Sequence, residues 1–338
     1  MLFGFIVAAI AGFLLTAVPS WTGARGFAGW PLRLLAALWV LGRIGVSTSA
    51  LWPPLPVAVL DLAFLPALAA CVLPPLARER NRNTPLLAVL AALWGTHVAF
   101  YWGLLHADAG FARHALLVGI DIVLLLVTVI GGRIVPAFTS TALRQRGGAS
   151  QLRAWPGLTP LSIGAMLAVA IVDICRPDSA WAGAAALAAA AIQLARLAQW
   201  QGWRTLSMPI VWVLHLAYLW LPIGLALKAA ALLGAVSFAA YYLHALTIGA
   251  AATMIVAVMT RASLGHTGRP LTVARPTTLA YLLLAAAAAV RTFGPALIPL
   301  PFTDIVLLAA LLWAAAFALY LWVYAPILVR PRADGKPG

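Results

Sequence analysis

Long apolar stretches, each close to twenty residues and broken by short segments rich in Pro, Gly and Arg, run the whole length of the chain. A helix needs about 20 mostly apolar residues to cross the hydrocarbon core of a bilayer. On that measure the pattern predicts eleven spans, over 2–19, 31–51, 55–76, 85–105, 115–138, 158–174, 180–197, 208–227, 234–259, 277–290 and 302–323. The longest polar connection, Thr139 to Pro156, leaves no room for a soluble domain. The expected fold is therefore all-α, a polytopic transmembrane helical bundle. It forms one domain over 1–329, with a short cytoplasmic tail over 330–338. Runs of alanine over Ala184–Ala191 and Ala285–Ala289 suit close approach of helix backbones in lipid.

Composition agrees. Hydrophobic residues make up 64% of the chain and charged residues 9%, with a mean hydropathy of +1.00, far from the mix of a soluble domain. The net charge of +14 would raise nucleic acid as a partner in a soluble protein, but its distribution along the chain speaks for a membrane instead. Seventeen of the 22 Lys and Arg fall in alternate connections: Arg25, Arg33, Arg78, Arg80, Arg82, Arg133, Arg144, Arg146, Arg153, Arg196, Arg204, Arg261, Arg269, Arg275, Arg330, Arg332 and Lys336. Cytoplasmic loops concentrate Lys and Arg, so these connections are expected inside, facing the anionic inner leaflet, with the carboxyl terminus. Eleven spans then put Met1 outside, although the chain opens within an apolar run that has neither the basic start nor the cleavage site of a signal peptide. The expectation is one further helix ahead of Met1. The two cysteines, Cys71 and Cys175, offer no disulfide framework, zinc ribbon or covalent haem attachment motif, so any haem is held non-covalently.

Ionisable groups inside a bilayer are expensive and therefore candidates for function. At about 1.5 Å per residue, Arg43, Asp61, His97, Asp121 and His244 sit at similar depths below the outer surface, and a shared polar layer is expected. Arg43 and Asp61 lie on consecutive antiparallel helices at a spacing that suits an ion pair. Asp121 follows His114 by two helical turns. His215, three residues before Tyr218, sits nearer the inner end. Met254 and Met259 read as core or lipid-facing methionines, and His106 with Asp108 forms a weak surface motif. On the inner side, Arg261, His266 and Arg269 surround Thr267 and Gly268, and Arg133 precedes Pro136 and Thr139 after the Gly131-Gly132 break. Both clusters suit an anion such as a haem propionate or a lipid head group.

Three stretches carry a resemblance: MTRASLGHTGRPL (Met259–Leu271), GGRIVPAFT (Gly131–Thr139) and the opening MLFGFIVAAIAGFLLTAVPSWTG (Met1–Gly23). Together with Val213–Tyr218, His244–Gly249 and Tyr324–Leu328 they resemble the NnrS family of bacterial inner-membrane proteins. The resemblance implies twelve helices, haem and copper, and a part in denitrification and nitric oxide resistance without an established reaction. Members usually carry a further helix and a His-Ala-His-Glu stretch ahead of the Met-Leu-Phe-Gly that opens this chain. Haem b or copper is then expected on neutral imidazoles from the bundle, His244 first, His215 next and His97 third, with Arg133, Arg261, His266 and Arg269 toward a cofactor's carboxylates. Nitric oxide is an expected partner; neither a catalytic reaction nor an oligomeric state follows. Two alternatives stand beside this reading: a transporter of a small solute, metal or haem-related ligand, suggested by Arg43, Asp61 and Asp121, and a non-catalytic assembly or stress factor. No Walker loop, nucleophile elbow or His-Glu-x-x-His motif occurs.

Overall fold

In the computed structural model, which describes residues 1–78, 83–147, 152, 155–234, 236 and 240–335, the chain is all helix and connection, with no strand among the described residues. Glu79, Arg80, Arg82, Arg153 and Lys336 of the charge pattern lie outside the described residues. Eleven long helices follow one another: α1 Leu2–Thr22, α2 Trp30–Ser47, α3 Pro54–Arg78, α4 Pro85–Leu105, α5 Ala109–Gln145, α6 Leu158–Cys175, α7 Ala180–Gln199, α8 Pro209–Leu232, α9 Tyr242–His266, α10 Arg275–Leu297 and α11 Phe302–Val329. Each expected span meets one of them. Ten are long and apolar enough to cross a membrane; α2 is not among those ten, because Arg33 and Arg43 dilute its apolar character.

The described residues pack as two compact units, Met1–Ile122 and Val123–Gly338, and the division falls inside α5. In the first unit Ile6, Val18, Leu68, Val72, Leu76 and Leu93 are buried. In the second, α8 is the central element, with most of its apolar stretch buried, whereas most of α11 is not. The large side chains that α11 leaves exposed, such as Leu311, Leu321 and Trp322, are the face a hydrocarbon solvent would cover.

Small residues set the helix spacing, as the alanine runs suggest. Ala182, Ala186, Ala189 and Ala190 of α7 are buried, and a β-carbon on Gly183 would touch Leu233 at 3.0 Å. In the first unit α4 and α5 meet backbone to backbone at Gly103, where a β-carbon would lie 2.7 Å from the Ala112 nitrogen.

Interruptions of the regular helix have local causes and local uses. Proline at Pro66 removes the N–H that would bond the Leu62 carbonyl; α3 breaks between Leu62 and Phe64, and Trp94 Nε1 donates to that freed carbonyl at 3.1 Å. Among the described residues three π-helical stretches occur, over Leu2–Ile6, Val127–Gly131 and Ala245–Ala252. Such turns widen the helix and redirect backbone carbonyls. Each stands where a glycine lets another element come close: Gly4 beside Arg43, Gly131 and Gly132 beside Tyr218 and Arg196, and Gly249 beside Trp220.

Candidate functional site

In the first unit, His97 and Tyr101 are four residues apart on α4 and so share one helix face. Both reach Asp61 of α3: Tyr101 Oη donates to Oδ2 at 2.8 Å and His97 Nε2 lies 3.0 Å from the same oxygen. Arg43 of α2 forms the ion pair on Oδ1. Asp61 is 7% exposed, and three donors from two neighbouring helices match the acceptor-only character of an ionised carboxylate. The structure thus brings Arg43, Asp61 and His97 together and adds Tyr101, which sequence reasoning missed.

The tautomer of His97 follows from this network. A carboxylate oxygen accepts, so Nε2 carries the hydrogen and Nδ1 carries a bare lone pair. His97 is 2% exposed and its Nδ1 is buried with no hydrogen-bond partner. Phe3 stacks on one face of the ring with centroids 3.8 Å apart and planes 12° from parallel. The π-helical turn at Leu2–Ile6 serves this packing. Its Gly4 carbonyl accepts from Trp39 Nε1 at 3.0 Å, and a β-carbon at Gly4 would lie 2.8 Å from Arg43 Nη1. Asp121 is buried on α5 and His114 half-buried, while Gly119 between them packs against Thr96 and Leu2.

In the second unit the arginine of α7 is the unexpected element. Charge counting assigned Arg196 to a solvated inner connection; the structure corrects this, since Arg196 lies within α7 and is 1% exposed. Its Nη1 donates to the Thr128 carbonyl at 2.9 Å, in the π-helical stretch of α5, and to Tyr218 Oη at 3.2 Å. The Trp200 ring lies 5.6 Å from the guanidinium carbon. Tyr218 in turn donates to Gln193 Oε1 at 2.6 Å, and Gln193 Nε2 donates to Thr128 Oγ1 and to the Ser162 carbonyl, both at 3.3 Å. Every one of these partners is neutral. The guanidinium is also packed against the backbone of Gly132, where a β-carbon would overlap it.

His215 of α8 repeats the tautomer logic of His97. The single proton of Thr139 goes to the Val135 carbonyl at 2.8 Å, so Thr139 Oγ1 accepts from His215 Nε2 at 2.9 Å, and Nδ1 is left bare, buried and without a partner. Here, however, Gly202 closes over that nitrogen: a β-carbon on it would lie 2.6 Å from Nδ1. His244 belongs to the second unit and is half-buried. It stacks with Tyr241, ring centroids 6.4 Å apart, and the Arg291 guanidinium carbon lies 5.8 Å from that same tyrosine ring.

The two polar motifs, Met259–Leu271 and Gly131–Thr139, meet at an aromatic ring. Arg261 stacks on the ring of Phe138 at 3.7 Å, joining the Met259–Leu271 stretch to the Gly131–Thr139 stretch. Arg269 Nη1 donates to the Thr267 carbonyl at 3.3 Å, and Arg133 and His266 are exposed. The tail folds back onto this loop. Arg332 Nη1 donates to the His266 carbonyl and the Ala333 N–H to the Thr267 carbonyl, both at 2.9 Å, while Arg332 pairs with Asp334 at 2.6 Å. The contacts made by Arg261 and Arg269 therefore brace the loop.

Among the described residues no three of His, Cys, Asp and Glu gather as a metal donor set. A copper ion held by three protein ligands has no assembled site there. An axial ligand to a haem needs only one imidazole nitrogen, and the buried, unpartnered Nδ1 of His97 fits that need. His106 and Asp108 are used locally, His106 Nδ1 on the Trp102 carbonyl at 2.9 Å and Asp108 Oδ1 on the Phe111 N–H at 2.8 Å. Met254 is buried beside Gly131.

The family model described as NnrS protein matches residues 1–332. No curated protein and no solved structure matches the chain.

Proposed function

The chain belongs to the NnrS family, and from that premise we propose that it is an inner-membrane haem protein of nitric oxide tolerance in denitrifying metabolism, in which His97 would hold the haem iron. The observation that carries this reading is the His97 Nδ1 lone pair, buried and unpartnered while Nε2 is engaged by Asp61. A carboxylate behind an imidazole fixes its ring and makes the opposite nitrogen a better electron-pair donor. Asp61 is itself oriented by Arg43 and Tyr101. The Phe3 ring restrains the imidazole plane. The iron, when bound, supplies affinity for a small uncharged gas that reaches it through lipid.

His97 ranks above the two histidines favoured from sequence for electrostatic and steric reasons. His244 stacks on Tyr241, and the Arg291 guanidinium lies 5.8 Å from that same ring, a nearby positive charge that disfavours a metal ion. His215 has Gly202 over its free nitrogen. The basic connections support a cytoplasmic carboxyl terminus, and this reading assigns copper no residues, since no three-ligand donor set gathers among the described residues.

Optical spectroscopy of the purified full chain tests it. A Soret band is expected in the wild type, reduced about tenfold in occupancy by His97→Ala and little changed by His244→Ala. A wild-type preparation without a Soret band, or a His97→Ala variant with an unchanged one, overturns the assignment.

A further inference from the structure

Two buried cations of the second unit, Lys228 and Arg196, are treated differently. Lys228 forms an ion pair with Asp173. Arg196 has no carboxylate partner among the described residues and meets only a backbone carbonyl, a phenol and an indole face. A guanidinium keeps its proton inside proteins, so this is a net positive charge in an apolar bundle. Dipoles and rings soften the desolvation of such a charge but do not neutralise it, and a bridging water would not neutralise it either. Its Nε is buried with no hydrogen-bond partner. Because Nη1 is occupied by Thr128 and Tyr218, the edge that carries Nε is the one with bonding capacity to spare. That edge, Nε with the terminal nitrogen beside it, is a fork matched to two coplanar oxygens.

We propose that Arg196 anchors an anion site in the second unit, one that takes a planar monoanion with two oxygen acceptors, of the carboxylate type. The surroundings are built for it. The π-helical turn at Val127–Gly131 presents the Thr128 carbonyl that holds Nη1, and the lack of a side chain at Gly132 lets the guanidinium lie flat against α5. Gln193 and Tyr218 spend their own hydrogen bonds on each other and on Thr128 and Ser162, so the amide and the phenol are satisfied and what is left over is the charge and the unpartnered Nε of Arg196. The oxygens come from a free small anion or from the carboxylate of a bound cofactor. The free-ion source is independent of the haem reading.

The test uses the full chain in nanodiscs of zwitterionic lipid, with sodium formate replacing sodium chloride at constant sodium. A saturable rise in Tm of about 4 °C is expected with formate. Arg196→Lys, which keeps the charge but loses the fork, raises the half-saturating concentration about tenfold. Should that variant not fold, Gly132→Ala, which leaves the arginine in place and displaces its head, is expected to do the same. Running the series on protein made with and without a haem precursor separates the sources. A response in both preparations identifies a free ion, and a response confined to the haem-poor preparation identifies the cofactor's carboxylate. No saturable rise in either preparation, an equal rise with chloride, or wild-type behaviour in both variants overturns the site.

Discussion

Arg43 and Arg196 both lie within long helices, each held against a glycine of a π-helical turn or beside one, yet their surroundings are opposite. Arg43 is 27% exposed and ion-paired with a buried carboxylate that also collects an imidazole and a phenol. Arg196 is 1% exposed and surrounded by neutral groups. The first arrangement is balanced in charge, and its partnerless buried atoms are Arg43 Nε and the uncharged His97 Nδ1. The second is complete in hydrogen bonds at its hydroxyls and amide and leaves a charge with nothing to balance it. A bundle can therefore hold a buried cation in either of two ways, and each leaves a different kind of opening: a lone pair for a metal, or a charge for an anion.

The sharpest way to break the comparison is to remove a charge from each site. Asp61→Ala strands Arg43 and costs about 3–5 kcal/mol of stability, because an uncompensated charge stays behind. Arg196→Met strands no charge and is expected to cost under about 1 kcal/mol, or to stabilise, in anion-free buffer. Unfolding midpoints of the two variants in mixed micelles decide; equal losses would mean that Arg196 has an internal counter-charge after all.

A smaller contrast lies at the glycines. Gly132→Ala forces a fully buried guanidinium to move and is expected to cost about 1–3 kcal/mol, as overpacking does. Gly4→Ala meets the end of a partly exposed arginine that can swing aside, at a cost of under about 1 kcal/mol. Thermal midpoints of the pair measure the difference, and a larger loss at Gly4 would contradict the assigned burial.

The smallest contrast is between two phenols. Tyr101→Phe removes a hydrogen bond to a carboxylate, worth about 1.5–3 kcal/mol, whereas Tyr218→Phe removes bonds among neutral groups and a bond from the guanidinium, with an expected loss of about 1–1.5 kcal/mol. Denaturant titration of both variants checks the order.

Much of the fold was legible because hydrocarbon imposes a length on apolar runs. The misfits are instructive. The run over 234–259 appears as the helix Tyr242–His266: apolar residues continue past Leu232 although Gly234, with φ +74°, has already turned the backbone, and the helix runs on through polar Thr260–His266 until the turn at Gly268, with φ +67°. Hydropathy reports where lipid would end, whereas caps decide where a helix ends. At the candidate sites the Arg43–Asp61 pair was legible from antiparallel depth, and His97 from the same counting. Tyr101 was hidden because a tyrosine is unremarkable in an apolar helix. Arg196 was hidden because counting charges along a chain treats every arginine as solvated. The signal lay in Gln193 and Arg196, three residues apart inside an alanine-rich stretch, facing a Gly-Gly pair distant in sequence.

By itself the amino-acid sequence determined the solvent, the number of helices and the family motifs, since these depend on composition and spacing along one dimension. Only the tertiary structure decided which nitrogens are left bare and which charge is left unbalanced. Those depend on how glycines and π-helical turns set the distance and rotation between neighbouring helices, and no one-dimensional pattern encodes a rotation.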